Sequence, residues 1–101
     1  MEKNIRNLVE ENQTFLFMKG DKTKPLCGFS AQVVSALNAI NVPFESFNIL
    51  TDGQMRQAVK EYSNWPTYPQ LYHKGKFIGG CDIVMEMQES GDLASALKTA
   101  E

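Results

Sequence analysis

Cysteine is scarce in this chain: two in 101 residues, Cys27 and Cys81, not spaced as a C-x-x-C pair. Two thiols build no disulfide framework of the kind that staples small secreted domains, so a reducing compartment fits best. In such a compartment a cysteine is buried filler, a ligand or a nucleophile. No apolar run approaches the roughly 20 residues needed to span a bilayer. Neither sign of charge dominates, since 10 Lys and Arg against 12 Asp and Glu leave a formal charge of −2. That balance gives no reason to expect nucleic acid or an anionic membrane as partner. Residues 1–13 carry three acidic groups and only four strongly apolar ones, Met1, Ile5, Leu8 and Val9, and read as neither a secretory signal nor a transit peptide. The expected location is cytoplasmic, or the mitochondrial matrix or a plastid where a transit peptide has been removed. Linkers, repeats and low-complexity segments are also lacking, so one domain over residues 1–101 is expected.

Apolar periodicity supplies the elements. Ile5, Leu8 and Val9 make a helical stripe over residues 2–12. The run from Thr14 to Lys19 is short, apolar and aromatic-rich, as in a buried strand, and Gly20 to Leu26 is a loop by composition. Phe29, Val33, Val34, Leu37 and Ile40 place a helix from Gly28 to Asn41, stopped by Asn41 and Pro43. Pro43 to Leu50 is strand-like. Thr51-x-x-Gln54 matches a capping box ahead of a helix with Met55, Ala58, Val59 and Tyr62 on one face. Asn64-Trp65-Pro66-Thr67-Tyr68-Pro69 is barred from helix by its prolines. Gln70 to His73 and Lys76 to Gly79 flank a Lys74-Gly75 hairpin turn. Asp82 is placed to cap a helix carrying Ile83, Val84 and Met87, Gly91 ends it, and Asp92 opens a last short helix with Leu93, Ala96 and Leu97. A β-α-β unit followed by a hairpin gives an α/β domain with a four-stranded mixed sheet flanked by about five helices. That pattern alone names no function.

Cys27 sits where a loop ends and a helix begins. Unpaired helix N–H groups and the positive end of the helix dipole favour a thiolate there, and Lys19, Lys22 and Lys24 lie close by in sequence. Position alone leaves two readings open, a reactive thiol or a buried structural one.

The segment Lys19-Gly20-x4-Pro25-x-Cys27-Gly28-Phe29-Ser30 resembles the signature of monothiol glutaredoxins, the C-G-F-S branch of the thioredoxin-fold superfamily. Trp65-Pro66-Thr67-Tyr68-Pro69-Gln70 looks like the second motif of that family, and Gly79-Gly80-Cys81-Asp82 like its third. The likeness runs from about Phe15 to about Gly91, with the motifs in order. Ser30 replaces the second cysteine of a C-x-x-C. A hydroxyl cannot resolve a mixed disulfide, so Cys27 needs a thiol from outside the chain.

The resemblance implies that this outside thiol is glutathione. It implies Lys19 as partner of the glycine carboxylate, with Arg56 either a second cation there or a solvated helix residue. It implies a cis peptide at Pro69 within Thr67-Tyr68-Pro69, turning the Tyr68 backbone toward the ligand, and Gly80 as a point of close approach. The Cys81 and Asp82 backbone would hold the γ-glutamyl carboxylate, with the Asp82 side chain on the ammonium. Trp65 reads as packing beside the proline motif. Phe29 is either core or a partner contact, and His73, beside a turn, reads as solvated rather than metal-ligating. Cys81 is either inert or an oxidation partner of Cys27.

Three functions follow from the resemblance. The first is a carrier of a 2Fe–2S cluster: Cys27 from each of two protomers plus two glutathione thiolates meets the ligand count. This implies a homodimer when loaded, a monomer when apo, a mixed complex with a BolA-type protein and delivery to apo iron–sulfur proteins. The second is a glutathione-dependent thiol–disulfide oxidoreductase with Cys27 as nucleophile, at most weak given the long Lys19–Cys27 loop. The third is an interaction module within a longer multidomain chain, although a Met1 start fits a free-standing protein.

Overall fold

The computed structural model describes residues 2–98. Along the chain run α1 (Glu2–Glu11), β1 (Thr14–Met18), α2 (Gly28–Ala39), β2 (Glu45–Asn48), α3 (Gly53–Ser63), β3 (Gln70–His73), β4 (Lys76–Gly79), α4 (Cys81–Ser90) and α5 (Asp92–Lys98). The strands form one mixed sheet in the order β2-β1-β3-β4. β1 runs parallel to β2 and antiparallel to β3, and β3 pairs antiparallel with β4. The thioredoxin-like architecture expected from the sequence is present.

Every side chain of β1 is buried. Strand side chains alternate between faces, so β1 feeds two separate cores. Leu16 and Met18 join Leu71 beneath α2, α4 and α5, through Val33, Leu37, Val84 and Leu93. Phe15 and Phe17 join Tyr72 beneath α1 and α3, through Ile5, Val9, Met55 and Val59. Among the described residues no helix is long and apolar enough to cross a membrane.

Several local expectations shift. β2 is shorter than the strand read from Pro43 to Leu50, because Ile49–Thr51 winds into a 3₁₀ turn capped by the Asn48 side chain. The N-cap moves by one residue, and no reciprocal box closes, because Met55 stands at the third helical position. The Thr51 hydroxyl donates to Asn48 O at 2.8 Å, so Asp52 caps α3, accepting the Met55 N–H at 3.0 Å. Asp82 is no N-cap: α4 starts directly after the hairpin, Gly80 holds the cap position, and Asp82 lies in the first turn.

His73 is buried, not solvated. It stands opposite Thr14 in register and shares a 3.0 Å hydrogen bond from Nδ1 with the Thr14 hydroxyl. Burial, with Lys74 adding to it, lowers its pKa below the ordinary 6.5. The unfolded chain therefore takes this proton more readily than the folded one, and stability falls as pH drops through the imidazole range. We expect the unfolding free energy from urea titrations to be lower at about pH 5 than at about pH 7, with His73→Gln flattening that slope. Equal slopes in both proteins would remove His73 as the cause. Asp21, whose carboxyl is lowered from 3.8 chiefly by the Thr23 hydroxyl, titrates below this window.

Candidate active site around Cys27

The loop leading to Cys27 is tied down along its length. Gly20 and Pro25 form an isolated antiparallel bridge, and Leu26 N–H donates to Lys19 O at 2.9 Å. Asp21 Oδ1 accepts from Thr23 N–H, the Thr23 hydroxyl and Lys24 N–H at 2.9, 2.7 and 2.8 Å. The Lys22 ammonium donates to Phe44 O, stands 5.0 Å over the Phe44 ring and lies 3.7 Å from the Glu45 carboxylate. The Gly20 N–H donates to Asn48 Oδ1 at 3.0 Å, fastening the loop to the end of β2.

Cys27 holds the N-cap position of α2, with extended backbone and its carbonyl accepting the Ala31 N–H at 2.9 Å. Its thiol forms no cap hydrogen bond, sulfur being a weak acceptor while protonated. The anion is a different matter. The Ser30 amide foremost, then the Phe29 amide, the Lys19 charge and the Ser30 hydroxyl, hold the Cys27 pKa below the ordinary thiol value against the opposing effect of burial. Ser30 is wholly buried and its oxygen accepts the Lys19 N–H at 3.1 Å, linking α2 to the end of β1. Phe29 is 59% exposed and Leu26 58%, so an apolar rim flanks the thiol. The structure thus puts Phe29 outside the core.

Beside this helix start lies a cavity of about 370 Å³, within the range of ligand pockets. Lys19, Arg56, Thr67, Tyr68, Gly80, Cys81 and Asp82 all line it, so seven of the nine residues assigned to ligand from the sequence meet here. Cys27 stands outside the lining, two residues from Phe29, which is part of it. Pro69 lies behind Tyr68, joined to it by a cis peptide. Arg56 lines the cavity with Lys19 rather than pointing from a solvated face. Burial pushes the Tyr68 phenol well above its ordinary range, and its hydroxyl donates to Arg56 O at 2.6 Å, clamping the proline motif to α3. Gly80 sits at a close approach: a Cβ there would lie 3.0 Å from Trp65 Nε1 and 3.3 Å from Pro69 O, tighter than ordinary contact. Trp65 packs on Phe77, with ring centroids 5.6 Å apart. The Cys81 thiol donates to Gln32 Oε1 at 3.1 Å, and burial, then Asp82 and Cys27, raise its pKa. The two cysteines are pushed in opposite directions, and only Cys27 is readied as a thiolate.

Lys60 also lines the cavity, and the sequence reading passed over it. It follows Arg56 by four residues on one face of α3, a spacing that would have revealed it.

The Glutaredoxin family profile matches residues 14–78. The chain belongs to the glutaredoxin family. Among its relatives, monothiol glutaredoxin-S17 of Arabidopsis thaliana is 55% identical over 96% of this chain, which spans 20% of that protein's length. A Synechocystis protein named as an uncharacterized monothiol glutaredoxin, ycf64-like, is 49% identical over 95% of this chain and 90% of its own. The solution structure of reduced poplar apo GrxS14 superposes with a TM-score of 0.85 at 48% identity, covering 96% of this glutaredoxin and 89% of the poplar chain. With Ser30 where a second active-site cysteine would stand, this glutaredoxin is of the monothiol type.

Proposed function

We propose that this monothiol glutaredoxin binds glutathione in the cavity beside Cys27 and carries a 2Fe–2S cluster as cargo to apo iron–sulfur proteins. The observation that carries the reading is a single thiol, readied as thiolate at a helix start, next to a cavity ringed by Lys19, Arg56 and Lys60. The donor set matches glutathione, which has two carboxylates, an ammonium and an extended peptide. Lys19, Arg56 and Lys60 take the glycine carboxylate, and the first turn of α4 takes the γ-glutamyl carboxylate. The Asp82 side chain takes the ammonium, and the Tyr68 backbone pairs with the peptide edge. Bound glutathione supplies the second thiolate that Ser30 cannot.

Among the described residues no group of three or more His, Cys, Asp and Glu side chains is gathered to hold a metal ion. A two-iron cluster takes four thiolate ligands. One Cys27 thiolate per chain therefore calls for a homodimer with two glutathiones, or for a BolA-type protein in place of one protomer, with the apo protein a monomer. We place this chemistry in the cytoplasm, or in an organelle matrix with equally reducing conditions.

Anaerobic reconstitution with iron, sulfide and glutathione tests the reading. A coloured dimer that needs glutathione supports it, and a colourless monomer sinks it. Lys19→Gln should weaken glutathione binding about tenfold in calorimetry, the loss expected for one charge-assisted contact. Unchanged affinity would move the glycine carboxylate away from β1.

The lowered Cys27 pKa also favours a second reading, thiol exchange. The Cys27 thiolate would attack the glutathione sulfur of a protein–glutathione disulfide, releasing the protein thiolate. Free glutathione would then take the bound glutathionyl group as glutathione disulfide and return Cys27. Turnover of a mixed-disulfide substrate by protein that forms no coloured dimer would favour this reading over the carrier.

A further inference from the structure

The segment from Trp65 to Tyr68 forms one wall of the cavity, yet it has no regular ladder to hold its backbone. Gln70 does that work from below. It opens β3 opposite Phe17, and its side chain is wholly buried. Its Nε2 donates to Trp65 O at 3.1 Å and to Thr67 O at 3.2 Å, while its Oε1 accepts the Tyr72 hydroxyl at 3.2 Å. Chemistry fixes the orientation of the amide, because turned over it would set an oxygen against two carbonyl oxygens. Both N–H protons and the amide oxygen are committed, which leaves the group no alternative arrangement. Tyr72 is itself locked among aromatic rings, 5.7 Å from Phe17 and 5.4 Å from Phe77 between centroids. A fixed chain therefore runs from the aromatic core through Tyr72 and Gln70 to two carbonyls that bracket the wall just before Tyr68.

We propose that Gln70 is a positioning residue for the ligand: by holding the Trp65 and Thr67 carbonyls it aims the Tyr68 backbone edge at the peptide of glutathione. This rests on the glutathione reading above. Gln70 touches no ligand itself. Its loss leaves the cations of the cavity in place and loosens the wall that pairs with the ligand's cysteinyl peptide.

The test uses two ligands, glutathione and γ-glutamylcysteine, the second lacking the glycine carboxylate. Dissociation constants are measured by nuclear magnetic resonance on folded protein, where partial unfolding lowers signal and leaves Kd unchanged. Gln70→Met should weaken both ligands about tenfold, since it acts through the peptide edge they share. Lys19→Gln should weaken glutathione more than γ-glutamylcysteine, whose terminal carboxylate stops one residue short of the glycine position. Wild-type affinity for both ligands in Gln70→Met overturns the proposal and leaves the glutathione reading standing. Failure of the wild-type protein to bind either ligand overturns both. Should Gln70→Met not fold, the wild-type protein still decides. Hydrogen exchange of the Gln70 side-chain amide should slow several-fold on adding glutathione, although the group lies out of the ligand's reach. Unchanged exchange rejects the link.

Discussion

Cys27→Ser is expected to lose all cluster loading and all mixed-disulfide formation with glutathione while folding at least as well as the wild type. The two effects run in opposite directions for separate reasons. Cys27 caps α2, and a thiol is a poor cap, which is why no cap hydrogen bond forms. Serine is among the best capping residues, and its hydroxyl would accept from the Phe29 and Ser30 amides, adding up to about 1 kcal/mol. The same amides act on the Cys27 thiolate, and a hydroxyl offers no comparable anion to iron or to a disulfide. Visible absorption after reconstitution, size-exclusion chromatography and a urea titration read the three properties together. Cys81→Ser is the companion. The Cys81 thiol is raised in pKa and donates to Gln32, so its replacement should leave colour and dimer within a few-fold of wild type. Colour retained by Cys27→Ser, or lost equally in both variants, would move the cluster ligand elsewhere.

What could be read from the sequence, and what could not, divides along a physical line. Elements with strong periodicity and local punctuation were legible: the buried run of β1, the Lys74-Gly75 turn, the glycine that ends α4. The site was legible where it lies in contiguous motifs, because Cys27, Thr67-Tyr68-Pro69 and Gly80-Cys81-Asp82 each bring their own backbone geometry. Lys60 escaped because only its spacing from Arg56 ties it to the site, and that tie holds only once Arg56 itself faces the cavity rather than solvent. Gln70 escaped as a wall support because its partners, Trp65 O and Thr67 O, are backbone atoms, which no side-chain pattern records. His73 was misread for a related reason. Nearness to a turn signalled solvent, whereas the pairing with Thr14 buries it, and register is a property of the assembled sheet. The N-cap slipped by one residue because Thr51 had a competing acceptor in the preceding turn. Local preference ranked the candidates, and tertiary context chose between neighbours.

Gly20→Ala should be among the most disruptive single changes near the site, although Gly20 touches no ligand. Two costs combine there. Its φ of +89° lies in the region that side-chain-bearing residues avoid, and a Cβ would stand 2.5 Å from Leu26 N and 2.6 Å from Lys24 O. Both neighbours are backbone, so no flexible tip can swing aside. Leu26 N is already held by Lys19 O and Lys24 N by Asp21, which means relief requires opening the loop. Strained φ and overpacking together put the loss at about 3 kcal/mol. Since Leu26 directly precedes Cys27, an opened loop also displaces the thiol from the α2 amides. The Cys27 pKa should then rise toward the ordinary thiol value, with slower alkylation at neutral pH. Gly28→Ala separates strain from mere substitution in the same signature. Nothing lies within 4 Å of a Cβ at Gly28, and the residue begins a helix, so the change should leave stability equal or raise it by about 0.5 kcal/mol. Urea midpoints of the two variants against wild type decide the matter. If Gly20→Ala stays within about 1 kcal/mol of wild type, the loop can open without cost, and its hydrogen bonds do not fix where Cys27 stands.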